Sequence, residues 1–401
     1  MYGIRSLIVL VVVATAPSKA SAAAASTRCG YGPPYPNCSA TYPRQGDFEV
    51  TVIDRNPYGK PLVSFANGDS SFPFNFNVAW FPAPQDSGVE DGLIVRVQED
   101  CTPNCPSNAT HPEWMDIGAL TAVKADVLAG STEHIDESLV FWAGTPAPPH
   151  RDKHEWAALD PRITYRPKTQ EYYLTWDNCT FECGLRSSLL SVSRTPFTHD
   201  SWTLVGPVIP HMQTAGVSLL FRDEMPGGKH MAFVSTYNCF TIALAESANG
   251  REWTITNPTW MQGRDGCWDA CGAIAGPQPE KLSSGDFLFI YNIDTRVNGV
   301  ASLPLGRCTI GWAILDGKDP SRVVARASTA LVTPVLPWET TACAGNDTTD
   351  TCQTPFVIFA DGLKPLGNDK YMIIYGGGDS VAGAITIHVD VKAQAVSQHK
   401  L

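Results

Sequence analysis

The fold is indicated most clearly by Trp156-Ala-Ala-Leu-Asp160-Pro-Arg-Ile-Thr-Tyr165, which is followed by Glu171-Tyr-Tyr-Leu-Thr-Trp-Asp177. The second part is a charged turn residue followed by an apolar and aromatic run, which is typical of a β-strand. In the first part, an aspartate precedes a proline. Pro161 fixes its own φ and keeps Asp160 out of the helical region, so we expect Asp160 to be held rigidly at the mouth of the strand.

The strand pattern of the second part recurs along the chain. A turn with Gly, Asp or Lys leads into an apolar and aromatic strand in five places, at residues 91–97, 171–177, 229–235, 286–292 and 370–376. Recurrence of one supersecondary unit predicts propeller blades, and five units predict an all-β, five-bladed β-propeller over residues 46–395. A β-sandwich or two β domains also fit short strands. Long helical periodicity is nearly absent, and the best helical candidate is residues 115–128.

The composition excludes some classes of protein. The 401 residues carry a formal net charge of −11 and 43% hydrophobic residues, enough for a large core. An acidic chain without basic runs is a poor candidate for binding nucleic acid or an anionic membrane. No cofactor and no metal is expected.

The N-terminus has the pattern of a secretory signal peptide. Arg5 is followed by an apolar run from Leu7 to Ala14, and Ala20-Ser-Ala22 offers a small-x-small cleavage site. We therefore expect residues 1–22 to be removed, residues 23–45 to form a tail, and the mature protein to be extracellular, without a membrane anchor.

Twelve cysteines and four N-glycosylation sequons agree with an oxidising compartment. The cysteines fall into close pairs, and the simplest expectation is a disulfide within each pair, which would staple the fold. The pairs are Cys29/Cys38, Cys101/Cys105, Cys179/Cys183, Cys267/Cys271 and Cys343/Cys352, with Cys239 and Cys308 left to join two units. The sequons, at Asn37, Asn108, Asn178 and Asn346, predict surface sites.

A propeller brings residues that are distant in sequence to one funnel on its axis. A glycosidase needs a carboxylic acid for the leaving oxygen, a base or nucleophile, and polar groups that hold sugar hydroxyls. Asn77 is expected just before the first inner strand and Arg96 at the end of that strand; Asp177 is interpreted as a turn residue. On its own, Asp160 next to Arg162 is also compatible with a surface ion pair.

Taken in order, these motifs resemble glycoside hydrolase family 130, the β-mannoside phosphorylases and β-1,2-mannosidases, from about residue 75 to 388. The resemblance rests on Asn77 and Arg96, on residues 160–164 with their Tyr-Tyr strand, and on four later segments, at residues 274–279, 312–323, 334–339 and 375–379. It implies a five-bladed propeller in which Asp160 is the general acid, acting through a sugar hydroxyl. It also implies that Asn77, Arg96, Arg162 and Asp379 hold an oligosaccharide or glycan substrate.

The sequence departs from this family where the phosphorylases bind phosphate. Residues 214–221 read Thr-Ala-Gly-Val-Ser-Leu-Leu-Phe, without the lysine of the family, and its His-Arg is replaced near residues 235–237. A site without these cations binds phosphate poorly. We therefore predict a secreted, inverting hydrolase of β-mannosides, with Glu339 as the base. The alternatives are a glycan-binding propeller without activity and a β-mannoside phosphorylase.

Overall fold

The computed structural model describes residues 38, 42–64, 74–98, 118–135, 140–141, 157–179, 186–224, 228–236, 241–264, 267–270, 272–294, 308–340 and 355–392. The expected signal peptide, most of the tail and three of the four sequons lie outside these residues. So do eight cysteines of the expected pairs: Cys29, Cys101, Cys105, Cys183, Cys239, Cys271, Cys343 and Cys352. Among the described residues, no helix has the length and apolarity needed to cross a membrane.

The strands form five antiparallel sheets, one per blade. The first two blades contain β2 (Phe74–Pro82), β3 (Asp91–Gln98), β4 (Gly118–Asp126), β5 (Ser131–Thr132) and β6 (Val140–Phe141), then β7 (Ala157–Arg166), β8 (Glu171–Cys179), β9 (Arg186–Ser193) and β10 (Thr203–Pro207). The third and fourth contain β11 (Thr214–Leu220), β12 (His230–Thr236), β13 (Ile242–Ser247) and β14 (Thr254–Met261), then β15 (Ile274–Ala275), β16 (Glu280–Lys281), β17 (Phe287–Asp294), β18 (Cys308–Leu315) and β19 (Val323–Arg326).

The fifth blade closes the ring with strands from both ends of the described chain. Its order is β20 (Ile358–Gly367), β21 (Lys370–Gly377), β22 (Val381–Val391) and β1 (Phe48–Asp54). Phe48 pairs with Val391, so the first strand becomes the outermost strand of the last blade. A ring closed in this way leaves only short blade edges unpaired. The prediction of an all-β, five-bladed propeller is confirmed.

The five repeated runs are the second strands of the blades, β3, β8, β12, β17 and β21, and not the inner ones. The expectation that Asn77 precedes the first inner strand was therefore wrong: Asn77 lies within the inner strand β2, and Arg96 lies on β3. The physical reason is burial. Seven of the eight residues of β21 are buried, so second strands give the strongest apolar signal in the sequence.

Two further expectations are corrected. Residues 118–126 form β4 instead of a helix, because their burial alternates: Val123 and Ala125 are buried, whereas Lys124 and Asp126 are not. Asn178, which was expected at the surface, is buried in β8.

The expected pairings of Cys38 with Cys29 and of Cys267 with Cys271 were also wrong. Cys38 is bonded to Cys267, across 229 positions of sequence and with a Cα–Cα distance of 5.2 Å. The bond therefore links the segment before β1 to the connection between β14 and β15, a contact that spacing in the sequence cannot reveal. A short helix, α1 (Pro337–Thr340), precedes the fifth blade.

The core lies between blades, where aromatic side chains of neighbouring sheets meet. Phe233 of the third blade and Phe289 of the fourth have ring centroids 4.9 Å apart, and Trp260 packs on both rings. The inner strands β2, β7, β11, β15 and β20 pack against one another around the axis. These strands therefore surround a shared axial region.

Candidate functional site

The inner strands carry β-bulges at the same depth, and these bulges create the site. The pairing register shifts between Phe76 and Val78 in β2, between Leu159 and Arg162 in β7, and between Ala360 and Gly362 in β20. A shift between Thr214 and Val217 in β11 adds a fourth blade to the series. A bulge adds an unpaired residue and turns its side chain out of the regular alternation.

Two of the bulge residues adopt the left-handed backbone conformation. Asn77 has φ of 48° and Asp160 has φ of 47°. Such values are uncommon outside glycine, although Asn and Asp tolerate them best. Both residues lie in the first half of an inner strand, and strained backbone of this kind is concentrated at functional sites.

The side chains of Asn77 and Arg96 both form hydrogen bonds with the carboxyl group of Asp160. Asn77 Nδ2 donates to Asp160 Oδ1 over 2.6 Å, and Arg96 Nη1 donates to the same oxygen over 2.9 Å. The side chains of Arg96 and Asp160 are 9% and 14% exposed, so the pair is largely desolvated but open on one side. Because both donors converge on Oδ1, they hold this oxygen and favour Oδ2 as the position of a proton on this carboxyl.

Arg162 lies beside Asp160 on β7 and joins the second blade to the fourth and the fifth. Its Nη1 donates to the backbone oxygen of Asp160 over 2.8 Å, and its Nε donates to the oxygens of Ala275 and Gly276, both over 3.0 Å. Its Nη2 lies 3.0 Å from Asp361 Oδ1. Through these contacts with protein groups, the guanidinium positions the bulge that carries Asp160. Direct substrate binding by Arg162 stays a prediction.

The interpretation of Asp177 as a turn residue was wrong. Asp177 is buried in β8, where its Oδ1 accepts hydrogen bonds from Ser188 Oγ over 2.6 Å and from the backbone N–H of Gly216 over 3.0 Å. Gly216 belongs to the third blade and has φ of 85°. Asp177 therefore ties the second blade to the third immediately beside the site.

Glu339 lies in a closed hydrogen-bond network, and its side chain is fully buried. Its Oε1 accepts from Arg55 Nη2 over 2.6 Å and from the Tyr375 hydroxyl over 2.5 Å. Its Oε2 accepts from the N–H groups of Val335 and Leu336 over 2.8 and 2.9 Å. A carboxylate has about four acceptor positions, so these donors fill them, and water can reach Glu339 only after one of them leaves. The role of Glu339 as base stays a prediction.

Asp379 stands in the tight turn between β21 and β22, with φ of 53° after a glycine with φ of 57°. It is partly exposed. The strand end before it is in contact with the site, because a Cβ on Gly376 would overlap the amide oxygen of Asn77. The turn that carries Asp379 thus follows a strand position that contacts Asn77, and the binding of substrate by Asp379 stays a prediction.

Asp361 is the residue of this region that the sequence analysis did not identify. It occupies the bulge of β20, is 1% exposed, and contacts Arg162. Burial raises the pKa of its carboxyl well above the ordinary value; the positive charge of Arg162 acts against this rise, and the carboxylates of Asp160 and Asp177 add to it. The only signal in the sequence is a charged residue inside an otherwise apolar run, residues 357–363.

The chain is similar to known proteins in both sequence and structure. Residues 125–394 match a family model described as beta-1,4-mannooligosaccharide phosphorylase, of glycoside hydrolase family 130. The beta-1,2-mannobiose phosphorylase of Thermoanaerobacter sp. (strain X514) is 34% identical over 114 residues, which is 28% of this chain and 31% of that protein. The matched part thus spans about a third of the length of that curated relative.

Solved structures share the fold over most of the chain. The beta-1,2-mannobiose phosphorylase from Listeria innocua, in complex with beta-1,2-mannobiose, matches with a TM-score of 0.61 and 16% identity over 84% of this chain and 96% of that one. A structure described under GH130 glycoside hydrolases that target beta-1,2 mannosidic linkages in Candida mannan matches with a TM-score of 0.57 and 16% identity, covering 78% of this chain and 84% of that one. With a family model that covers more than half of its residues, the chain belongs to glycoside hydrolase family 130.

Proposed function

We propose that the protein is a secreted enzyme that cleaves β-mannosidic linkages, with Asp160 as the general acid. The observation that carries the proposal is the position of Asp160, a bulge residue with a left-handed backbone, held by Asn77 and Arg96. A carboxyl group fixed in this way, with one side open, can deliver a proton to a bound sugar. Arg96 also balances the charge that Asp160 acquires when the proton leaves.

We propose hydrolysis instead of phosphorolysis. In the phosphorylases that the sequence resembles, a lysine-containing segment stands where this chain has Thr214–Leu220, which carries no cation. The bulge of this strand contains Gly216, whose backbone N–H is used by Asp177. A phosphate dianion needs fixed cations or several free N–H groups, so this blade does not offer a phosphate site. Water is then the available nucleophile.

An inverting hydrolase needs a base on the opposite side of the sugar from the acid. Glu339 is the proposed base, and it would act by exchanging one of its four donors for a water molecule. Arg55 is the donor that separates most readily, because its side chain is 20% exposed, whereas the other donors are backbone groups or the buried Tyr375.

The experiment that tests the function uses β-1,2- and β-1,4-mannobiose, with and without phosphate, and analyses the products. The wild-type protein is expected to release mannose without phosphate, and Asp160→Asn to lose at least about 10²-fold in kcat, as is typical of a general acid, while it still binds the disaccharide. Release of mannose 1-phosphate that depends on phosphate would show a phosphorylase. Binding without any product would show a glycan-binding propeller.

The extracellular location and the stapling of the fold belong to the same proposal. Arg5, the apolar run that follows it and Ala22 support removal of a signal peptide. The Cys38–Cys267 contact supports an oxidising compartment, in which disulfides persist. N-terminal sequencing of the protein secreted by a eukaryotic host should begin near residue 23; a mature protein that keeps residues 1–22 would contradict the proposed secretion.

A further inference from the structure

Asp361 takes the place in the fifth blade that Asn77 and Asp160 take in the first two. Each lies in a register shift in the first half of an inner strand. Asn77 and Asp160 contact each other, whereas Asp361 points to the guanidinium of Arg162. The bulge series therefore provides one carboxylate that lies near the site without being part of its open surface.

The surroundings of Asp361 give it a single strong partner. Its side chain is fully buried, that of Arg162 is 2% exposed, and the two charged atoms lie 3.0 Å apart. Within the described residues, neither carboxylate oxygen of Asp361 accepts an aligned hydrogen bond. A buried carboxylate with so few donors depends on its ion pair, and the ion pair in turn fixes the guanidinium.

Arg162 transmits this constraint to the acid. Its Nη1 donates a hydrogen bond of 2.8 Å to the backbone oxygen of Asp160, the residue with the left-handed backbone conformation. Its Nε is bound to two carbonyl oxygens of the fourth blade, and the ring of Phe359 lies 5.6 Å away. With Nε and Nη1 bound to carbonyl oxygens, the guanidinium has one orientation, and in that orientation its Nη2 faces Asp361.

We propose that Asp361 is a positioning residue for the reaction: through Arg162 it holds Asp160 in the left-handed conformation that places the acid. The proposal rests on the assignment of Asp160 as general acid. The charged groups that act on Asp361 are Arg162 and Arg96, which are positive, and Asp160 and Asp177, which are negative. Loss of Asp361 therefore changes both the orientation of Arg162 and the charge balance around Asp160.

The test compares two substrates that differ in their need for an acid. The leaving group of β-mannobiose is a sugar alkoxide, which needs a proton from the acid. The leaving group of 2,4-dinitrophenyl β-mannoside is a stable phenolate, which does not. In Asp361→Asn we expect kcat on mannobiose to fall by about 10- to 100-fold, the loss that a displacement of about 1 Å produces, and kcat on the aryl mannoside to fall much less.

The matched control is Asp91→Asn. Asp91, at the start of β3, forms a buried ion pair over 2.6 Å with Lys364, which lies on the same strand as Asp361. Lys364 lies three residues after Asp361 on β20, and the other partners of Asp91 are Trp80 and Val127, which do not contact Asp160 in the part of the chain that the structure describes. Asp91→Asn is expected to reduce the folded fraction and therefore to lower both activities by one common factor. A common factor in Asp361→Asn as well, or no loss at all, would overturn the proposal.

A crystal structure of Asp361→Asn separates this proposal from the proposed function. We expect Arg162 to turn away and its contact with the Asp160 backbone oxygen to open beyond hydrogen-bond distance. An unchanged contact would overturn the positioning role, whatever the activity. If the wild-type protein cleaves neither substrate, the assignment of the enzyme fails, and the crystal structure alone decides whether Asp361 positions Asp160.

Discussion

Replacement of Gly216 by alanine tests whether the guanidinium of Arg162 is held as tightly as its contacts indicate. Gly216 has φ of 85°, and a Cβ there would lie 2.8 Å from Cζ of Arg162. Gly367 is the matched control, because it has φ of 83° and no atom within 4 Å of its Cβ position. Both substitutions carry the cost of a left-handed L-residue, about 1–2 kcal/mol.

Only Gly216→Ala adds overpacking against a side chain that cannot move away, at about 1–3 kcal/mol. We therefore expect losses in the free energy of unfolding of about 2–5 kcal/mol for Gly216→Ala and about 1–2 kcal/mol for Gly367→Ala. Urea unfolding, followed by tryptophan fluorescence, measures both values. Gly216→Ala should also lower mannobiose cleavage by the folded protein, whereas Gly367→Ala should not.

Equal losses of stability in the two variants would refute the reasoning. They would mean that Arg162 relaxes into free space, and that its contacts with Asp160, Ala275 and Gly276 do not fix it. A large loss of stability in Gly216→Ala with full activity of the folded fraction would refute the second step, that the position of Arg162 controls the acid.

Three further predictions follow from single contacts. Gly376→Ala should lower kcat/KM on mannobiose by about 10²-fold, because a Cβ would displace the Asn77 amide that holds Asp160. Product analysis measures this loss, and unchanged kinetics would contradict the prediction. Glu339→Gln should lower the free energy of unfolding by about 3–5 kcal/mol, because it breaks a buried charge network; a variant of unchanged stability that binds sugar but does not cleave it would instead identify Glu339 as the base. Desolvation raises the pKa of Glu280 to about 7, above its value of 4.5 in the unfolded chain. The folded state therefore keeps this proton between these values, and wild-type stability should fall relative to Glu280→Gln as pH rises from 5 to 8; a pH-independent difference in urea unfolding would contradict this.

Much of the fold could be predicted from the sequence, because second strands are nearly continuous apolar runs. The second strand of each blade is enclosed by the blades beside it, so its sequence is a clear apolar run, and five such runs predict five blades. These strands are β3, β8, β12, β17 and β21. The same reasoning wrongly placed these strands innermost in their blades. The true inner strands carry polar residues and register shifts, which weaken their period-two pattern, so the sequence alone does not identify them as strands.

The site was predicted in part, for a related reason. Asn77, Arg96 and Asp160 were identified by resemblance, and the structure brings them into direct contact. Asp361 was missed because its partner, Arg162, is 199 positions away in sequence on another blade, so no local motif joins them. A β-bulge turns a residue out of the period-two pattern of a strand. Prediction from alternating apolar and polar residues therefore misplaces bulge residues, and here these are the residues of the candidate site.

The charges around the axis give an independent argument for hydrolysis. The described groups that act on Asp361 are two guanidinium groups, Arg96 and Arg162, and the carboxylates of Asp160 and Asp177. With Asp361 itself, three carboxyl groups surround the two cations, and the cations are already bound to them or to carbonyl oxygens. A phosphate dianion that entered this desolvated region would find neither cation available to pair with it, whereas a neutral sugar and a water molecule need no such partner. The bulges that assemble the acid thus also disfavour the anionic nucleophile, so added phosphate should leave the rate of mannobiose cleavage unchanged.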